Sequence, residues 1–114
     1  MRGLLITLPA SVKWEDYEKE LRAVEDGTLG TLVMNFKVPF LPKNTDGIER
    51  VYLVHRGNIV GWMKFSGVCS KEFTCTTTGR PWKGNFIQRT GPFHYIDPVP
   101  YRGFQGFRYY EYDE

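Results

Sequence analysis

The sequence has few of the residues that form metal sites or disulfide frameworks, and it has no long apolar run. Its 114 residues include only two cysteines and two histidines. Cys69 and Cys75 form no CxxC pair and have no histidine close by in sequence, so we expect free thiols and no zinc site. No apolar run approaches the ~18 residues of a transmembrane helix. We therefore expect no metal, no cofactor and no membrane contact.

The length and composition indicate one folded domain. The chain is 41% hydrophobic and 25% charged, which excludes a disordered polymer. Its length is that of one ordinary domain, so we predict a single domain over residues 1–114. The apolar stretch in residues 1–9 is too short for a signal peptide. A cytoplasmic location is the resulting expectation.

Charge and aromatic residues are distributed unevenly along the chain. The formal net charge is only +2, and 16% of the residues are aromatic. Residues 71–108 contain six basic and two acidic residues, a local charge of +4. More than half of the aromatic rings lie at or after Trp82. A positive charge that is concentrated in one segment, together with many aromatic rings, favours an anionic partner.

The hydrophobic pattern predicts one helix and several short strands. Residues 2–8 read as a buried strand, and residues 12–25 as an amphipathic helix with Ser11 as its N-cap. After the helix, β-rich runs at 28–38, 50–55 and 59–68 alternate with polar turns. Residues 70–83 read as an excursion from the sheet. Further strands are predicted at 85–89, 93–97 and 103–110, which gives an α+β fold: a small, mostly antiparallel β-barrel with one amphipathic helix near the N-terminus.

The segment from Arg50 to Trp62 resembles the central hairpin of the PUA-like superfamily, which includes the PUA, ASCH and EVE domains. It reads Arg-Val-Tyr-Leu-Val-His-Arg-Gly-Asn-Ile-Val-Gly-Trp, and its Gly-x-Ile-x-Gly return is similar to that of the family. The resemblance implies a PUA-like pseudo-barrel over residues 1–114, with a cleft that binds RNA or a modified base in RNA or DNA. The implied partner is thus a nucleic acid.

Some ASCH domains are hydrolases of modified nucleosides, which gives an alternative function. Those enzymes place a lysine and a threonine in a compact Gly-x-Lys-Thr. Residues 26–31 read Asp-Gly-Thr-Leu-Gly-Thr, without a lysine. We carry over no catalytic residue and expect a binding module rather than an enzyme. A second alternative is a protein-interaction factor of phage or mobile-element type, with a protein partner.

Rings and cations interleave in the C-terminal third, and this pattern supplies most of the candidate site residues. Rings stack on bases and guanidinium groups hold phosphates, so the pattern suits unpaired nucleotides. The same alternation also fits strands whose rings face a core while their arginines face solvent, and both readings stay open. Residues 76–84 lack the order of a P-loop. The candidate ligand-binding residues are Trp62, Arg80, Trp82, Lys83, Arg89, His94, Tyr101 and Arg102.

Overall fold

A computed structural model describes residues 1–25, 34–74, 79 and 81–112, and these contain six strands and one helix. The predicted class, mostly β with one helix near the N-terminus, is confirmed. In chain order the elements are β1 (Arg2–Leu8), α1 (Trp14–Glu25), β2 (Met34–Val38), β3 (Ile48–His55), β4 (Asn58–Thr74), β5 (Pro81–Pro100) and β6 (Phe107–Glu111).

The strands form one mixed sheet in the order β2-β5-β4-β3-β1-β6. Only β1 and β3 are parallel, and the other four pairs are antiparallel. Hydrogen bonding between the described strands does not close the sheet. The ring of Phe40, just after the edge strand β2, meets that of Phe107 in the other edge strand, β6, edge to face at 5.5 Å. The chain beyond one edge of the sheet therefore contacts the other edge.

One face of the sheet packs on α1 and forms the main core. Tyr17 and Leu21 from the helix are 5% and 6% exposed. They join buried side chains from β1, β3 and β4, so the predicted apolar stripe of the helix faces the core as expected. Burying each such side chain contributes about 1.5–3 kcal/mol. The core residues on this face include Leu4, Ile6, Leu8, Val51, Leu53 and Met63.

The helix begins later than the sequence indicates. Its first residue is Trp14, and the backbone amides of Asp16 and Tyr17 donate to the carbonyl of Lys13. Lys13, and not Ser11, therefore occupies the cap position. The cause is a separate turn before the helix, in which the amide of Val12 donates to the carbonyl of Pro9 at 3.0 Å.

The β3–β4 turn has the expected form. Arg56 and Gly57 have φ of 50° and 82°, the left-handed pair that a two-residue hairpin turn requires. The interpretation of residues 70–83 as an excursion was wrong where they are described, because β4 continues to Thr74 and β5 begins at Pro81. The two strands extend together as a long hairpin, since pairing between them satisfies their backbone groups.

The turn predicted at residues 90–92 is a bulge instead. Lys64 pairs with Thr90 while Trp62 pairs with His94, so β5 carries extra residues opposite β4. Pro92 falls in this irregular stretch, where its missing N–H costs the ladder nothing. The predicted strands at 85–89 and 93–97 therefore form parts of one long β5.

Candidate functional site

The sheet face opposite α1 contains a row of side chains that crosses five strands. Residues paired across neighbouring strands share a face. Trp62 pairs with His94 on one side and with Tyr52 on the other, Tyr52 pairs with Leu5, and Leu5 pairs with Arg108. We call this side of the sheet the open face, because no helix of the described residues covers it.

A second row lies beside the first on the open face. Lys64 pairs with Arg50, Arg50 pairs with Gly3, and Gly3 pairs with Tyr110. All the charged side chains that the register places in the two rows are therefore cationic: Lys64, Arg50 and Arg108.

Residues 101–104 cover one end of the open face. The amide of Tyr101 donates to the carbonyl of Gly57 at 3.0 Å, and that of Phe104 donates to the Thr7 hydroxyl at 3.2 Å. The rings of Tyr101 and Phe104 pack on a second cluster of buried residues that includes Val54. This segment leaves the opposite end of the open face, around Arg50 and Tyr110, uncovered.

Four side chains stack across the uncovered end, and we call them the stacked column: His94, Trp62, Arg50 and Tyr112. The imidazole of His94 lies 4.0 Å from the indole of Trp62 with an 18° angle between the planes. The guanidinium of Arg50 lies 4.0 Å from the same indole and 4.7 Å from the ring of Tyr112. Because β3 and β5 flank β4 on opposite sides, the indole has one neighbour on each side.

A cleft of about 480 Å³ opens next to this column. Its position depends on Gly3, where a Cβ would come within 2.9 Å of the Arg50 carbonyl oxygen and 3.2 Å of the Tyr112 ring. Because Gly3 has no side chain, the ring of Tyr112 can pack directly against β1. Residues lining the cleft include Arg50, Tyr52, Ile96, Tyr110, Glu111 and Tyr112.

The phenol of Tyr110 in the cleft remains protonated at neutral pH. Burial raises its pKa above the ordinary value, and the neighbouring phenols of Tyr52 and Tyr101 raise it further. A protonated phenol is a hydrogen-bond donor as well as an acceptor. The cleft therefore combines flat rings and hydroxyl groups with the Arg50 guanidinium, and it is also lined by Met1, whose ammonium donates to the Tyr112 carbonyl at 2.9 Å.

Three of the predicted site residues come together on the open face. Trp62 and His94 stack, and Tyr101 belongs to the segment that covers the neighbouring end. Arg102 is exposed in the same segment. Lys83 is exposed but lies on the long β4–β5 hairpin, opposite Glu72.

Two predicted residues lie outside what the structure describes. Arg80 is outside the described residues altogether, and only the backbone of Trp82 is described, where it pairs with Phe73. Of residues 76–84, the structure describes Gly79 and residues 81–84, and residues 81–84 belong to β5.

Arg89 lies in the core beneath α1 and not on the open face. It is 4% exposed, and its Nη2 donates to the Tyr17 hydroxyl at 2.6 Å. Its guanidinium also lies 6.0 Å from the ring of Phe36. Among the described residues, Nη1 has no hydrogen-bond partner. In this position Arg89 faces the packed side of the sheet, away from Trp62 and His94.

The sequence reasoning missed Arg50, Tyr52 and Tyr110, which define the cleft. A signal for the first two was present, because Arg50, Tyr52 and Val54 alternate along a strand and must share one face. The hairpin prediction for that strand does not use this alternation. Nothing local indicates that Tyr110, sixty residues later in the sequence, lies two strands away from Arg50.

A separate polar cluster joins α1 to β5 on the packed side. The Tyr95 hydroxyl donates to the Glu18 carboxylate and accepts from Trp14 Nε1 at 3.3 Å. Burial raises the pKa of Tyr95, and the hydrogen bond to Glu18 raises it further. Since Tyr95 and Glu18 belong to different elements, this cluster holds the helix against the sheet.

Comparison of the chain with protein-family models, with curated proteins and with solved structures finds no match. Within the described residues, no helix has the length and apolar character needed to cross a membrane. In that same part of the chain, no three His, Cys, Asp or Glu side chains come together as a metal site would require.

Proposed function

We propose that the open face binds single-stranded nucleic acid, or a modified base within it, in a domain of PUA-like type. The observation that carries the proposal is the stacked column beside a cleft lined by tyrosines and Arg50. Proteins that bind unpaired nucleotides combine aromatic stacking surfaces with cations along the backbone path. The cleft volume is in the range of small-ligand sites, about 300–1,000 Å³.

The charges of the open face support a polyanionic partner. Lys64 and Arg108 are exposed and lie on either side of the column, in β4 and β6. Arg102 extends the same charge on the covering segment. A phosphodiester backbone that runs past the cleft would meet these cations in turn, and each neutralised phosphate releases a condensed counterion.

The PUA-like architecture is part of the proposal. The hairpin that resembles the family supplies Arg50, Tyr52 and Trp62, three of the residues around the cleft. The contact between Phe40 and Phe107 joins the chain beyond one edge of the sheet to the other edge, as a pseudo-barrel requires. In this interpretation the cleft lies on the sheet and the helix packs on its other side.

The salt dependence of oligonucleotide binding tests the proposal. Short unstructured RNA and DNA strands are titrated at about 50 and 200 mM salt; if Lys64 and Arg108 each neutralise one phosphate, affinity falls about sevenfold between the two. Lys64→Gln and Arg108→Gln should each flatten this dependence. Absence of binding to both RNA and DNA at the lower salt concentration would refute the proposal.

Matched controls locate the binding surface. Lys19 is exposed on α1, on the packed side of the sheet, so Lys19→Gln should bind as the unchanged protein does. Lys83→Gln reports whether the long hairpin adds a contact. Incubation with modified nucleosides separates the alternatives, because a binding module leaves them intact whereas a hydrolase converts them.

A further inference from the structure

We propose that Arg50 reads a guanine base in the cleft, which makes this face selective for strands that contain an unpaired guanine. The inference rests on the proposed function and names the ligand of the same cleft. It depends on how tightly the structure holds one guanidinium group and on what surrounds it.

Three neighbours fix the orientation of the Arg50 side chain. Its guanidinium lies between two rings, 4.0 Å from that of Trp62 and 4.7 Å from that of Tyr112. Its Nη1 donates to the Tyr52 hydroxyl at 3.1 Å. An arginine held in this way has lost most of its rotamer freedom before a ligand arrives, so less entropy is lost on binding.

The chemistry of the guanidinium restricts what it recognises. A guanidinium has five N–H donors in its plane and no acceptor. It therefore pairs best with two acceptors side by side, as in a phosphate, a carboxylate or the O6/N7 edge of guanine. Because Arg50 lines the cleft, its ligand must also fit the walls of that cleft.

Those walls favour a base over a free anion. Tyr52, Tyr110 and Tyr112 present rings to the cleft, and Ile96 presents an aliphatic side chain. A flat base stacks on such rings and also meets the guanidinium, whereas a phosphate would use the guanidinium and the hydroxyl groups and leave the ring faces without a partner. We therefore place the base in the cleft and the phosphates at Lys64 and Arg108.

Among the bases, guanine matches the guanidinium best. Adenine replaces the O6 acceptor with an amino donor, which would point at the donors of Arg50, and uracil offers one acceptor on the corresponding edge. Cytosine has two adjacent acceptors but only one ring, so it covers less of the tyrosine walls. A bidentate contact discriminates against the wrong base by between about 5- and 150-fold.

In this arrangement Trp62 is a positioning residue. Its indole has His94 on one side and Arg50 on the other, so it supports the guanidinium and does not itself stack on the base. Tyr52 has the same kind of role through its hydroxyl. Removal of the hydroxyl in Tyr52→Phe should weaken selectivity for guanine more than it weakens binding in general.

The experiment uses short oligouridine strands with one varied central base, titrated by fluorescence anisotropy with the full chain. We expect the strand with a central guanine to bind between about 5- and 150-fold more tightly than those with adenine or uracil, and more tightly than that with cytosine. Arg50→Lys keeps the charge but cannot make the bidentate contact, so the affinities for the four strands should converge. Arg22→Lys, the same change at an exposed position of α1, should keep both the affinity and the preference.

The outcomes separate this inference from the proposed function. The inference that Arg50 recognises guanine would be overturned if all four strands bound with equal affinity, or if the preference survived Arg50→Lys. Either result would leave the proposed nucleic-acid binding in place. No binding of any strand would overturn both. If Arg50→Lys lowers the thermal midpoint so far that it cannot be titrated, Tyr52→Phe decides: unchanged selectivity there counts against the inference.

Discussion

Among the described glycines, Gly61 in β4 is the one where an added methyl group should destabilise the protein most, because the β5 backbone and the Phe93 ring pack directly against it. A Cβ at Gly61 would overlap the carbonyl oxygen of His94 and lie within 2.6 Å of two atoms of the Phe93 ring. Real Cβ contacts are essentially never shorter than 3.0 Å. Gly61→Ala therefore requires the β5 backbone to move, since a carbonyl in a paired strand cannot rotate away as a flexible side chain would.

The expected cost follows from the atoms that must shift. Overpacking a well-packed site by a methyl group costs about 1–3 kcal/mol, and we expect about 3 kcal/mol here because both a ring and a backbone carbonyl are in the way. For a domain of this size that lowers the thermal midpoint by roughly 12 °C. The displaced segment includes His94, so the stacked column should loosen and oligonucleotide affinity should fall as well.

Urea unfolding followed by circular dichroism measures the cost, with Gly47→Ala as the control. Gly47 has φ of +75° and no atom within 4 Å of a built Cβ, so its substitution tests backbone strain alone, about 1 kcal/mol. If Gly61→Ala unfolds with the same free energy as Gly47→Ala, the close approach of β4 and β5 at this point is refuted.

Two further predictions concern the packed side of the sheet and the tyrosines. Arg89→Met should destabilise the protein by about 1–3 kcal/mol, because the buried Tyr17 hydroxyl loses its donor. The double variant Arg89→Met/Tyr17→Phe should be at least as stable as Arg89→Met in urea unfolding. A lower stability of the double variant would contradict this. The raised pKa of Tyr95 and of Tyr110 means that the folded state holds these protons more tightly, so their contribution is complete below about pH 10 and is lost as pH rises further. Ultraviolet titration of tyrosinate should show a late component that diminishes in Tyr95→Phe.

Local signals predicted most of the elements. The strand at 2–8, the helical stripe through Tyr17 and Leu21, and the turn at residues 56–58 all depend on neighbours within a few residues, so their period and turn chemistry were sufficient. The prediction failed where long-range pairing overrode local breaks. Gly91 and Pro92 read as a turn, but β4 holds that stretch in the sheet as a bulge.

The candidate site was predicted only in part because its residues come from opposite ends of the chain. His94 follows from the density of rings and cations in the C-terminal third and Trp62 from the cleft that the family resemblance implies, and the structure stacks the two rings. Arg89 follows from the same density of rings and cations as His94, yet the alternation of β5 turns it toward Tyr17. Counting residue types cannot assign a side to a strand whose register shifts at bulges.

By itself the sequence determined that this chain forms β-strands with one amphipathic helix, and that its rings and cations concentrate in the C-terminal third. Period, turn residues and composition are local properties, and they need no knowledge of which strands are neighbours. Only the tertiary structure decided that Arg50 lies between Trp62 and Tyr112, in a cleft with Tyr110. The physical reason is the strand order. Because the N-terminal strand β1 pairs with both β3 and β6, Arg50 and Tyr110 lie on either side of it although they are sixty residues apart in sequence.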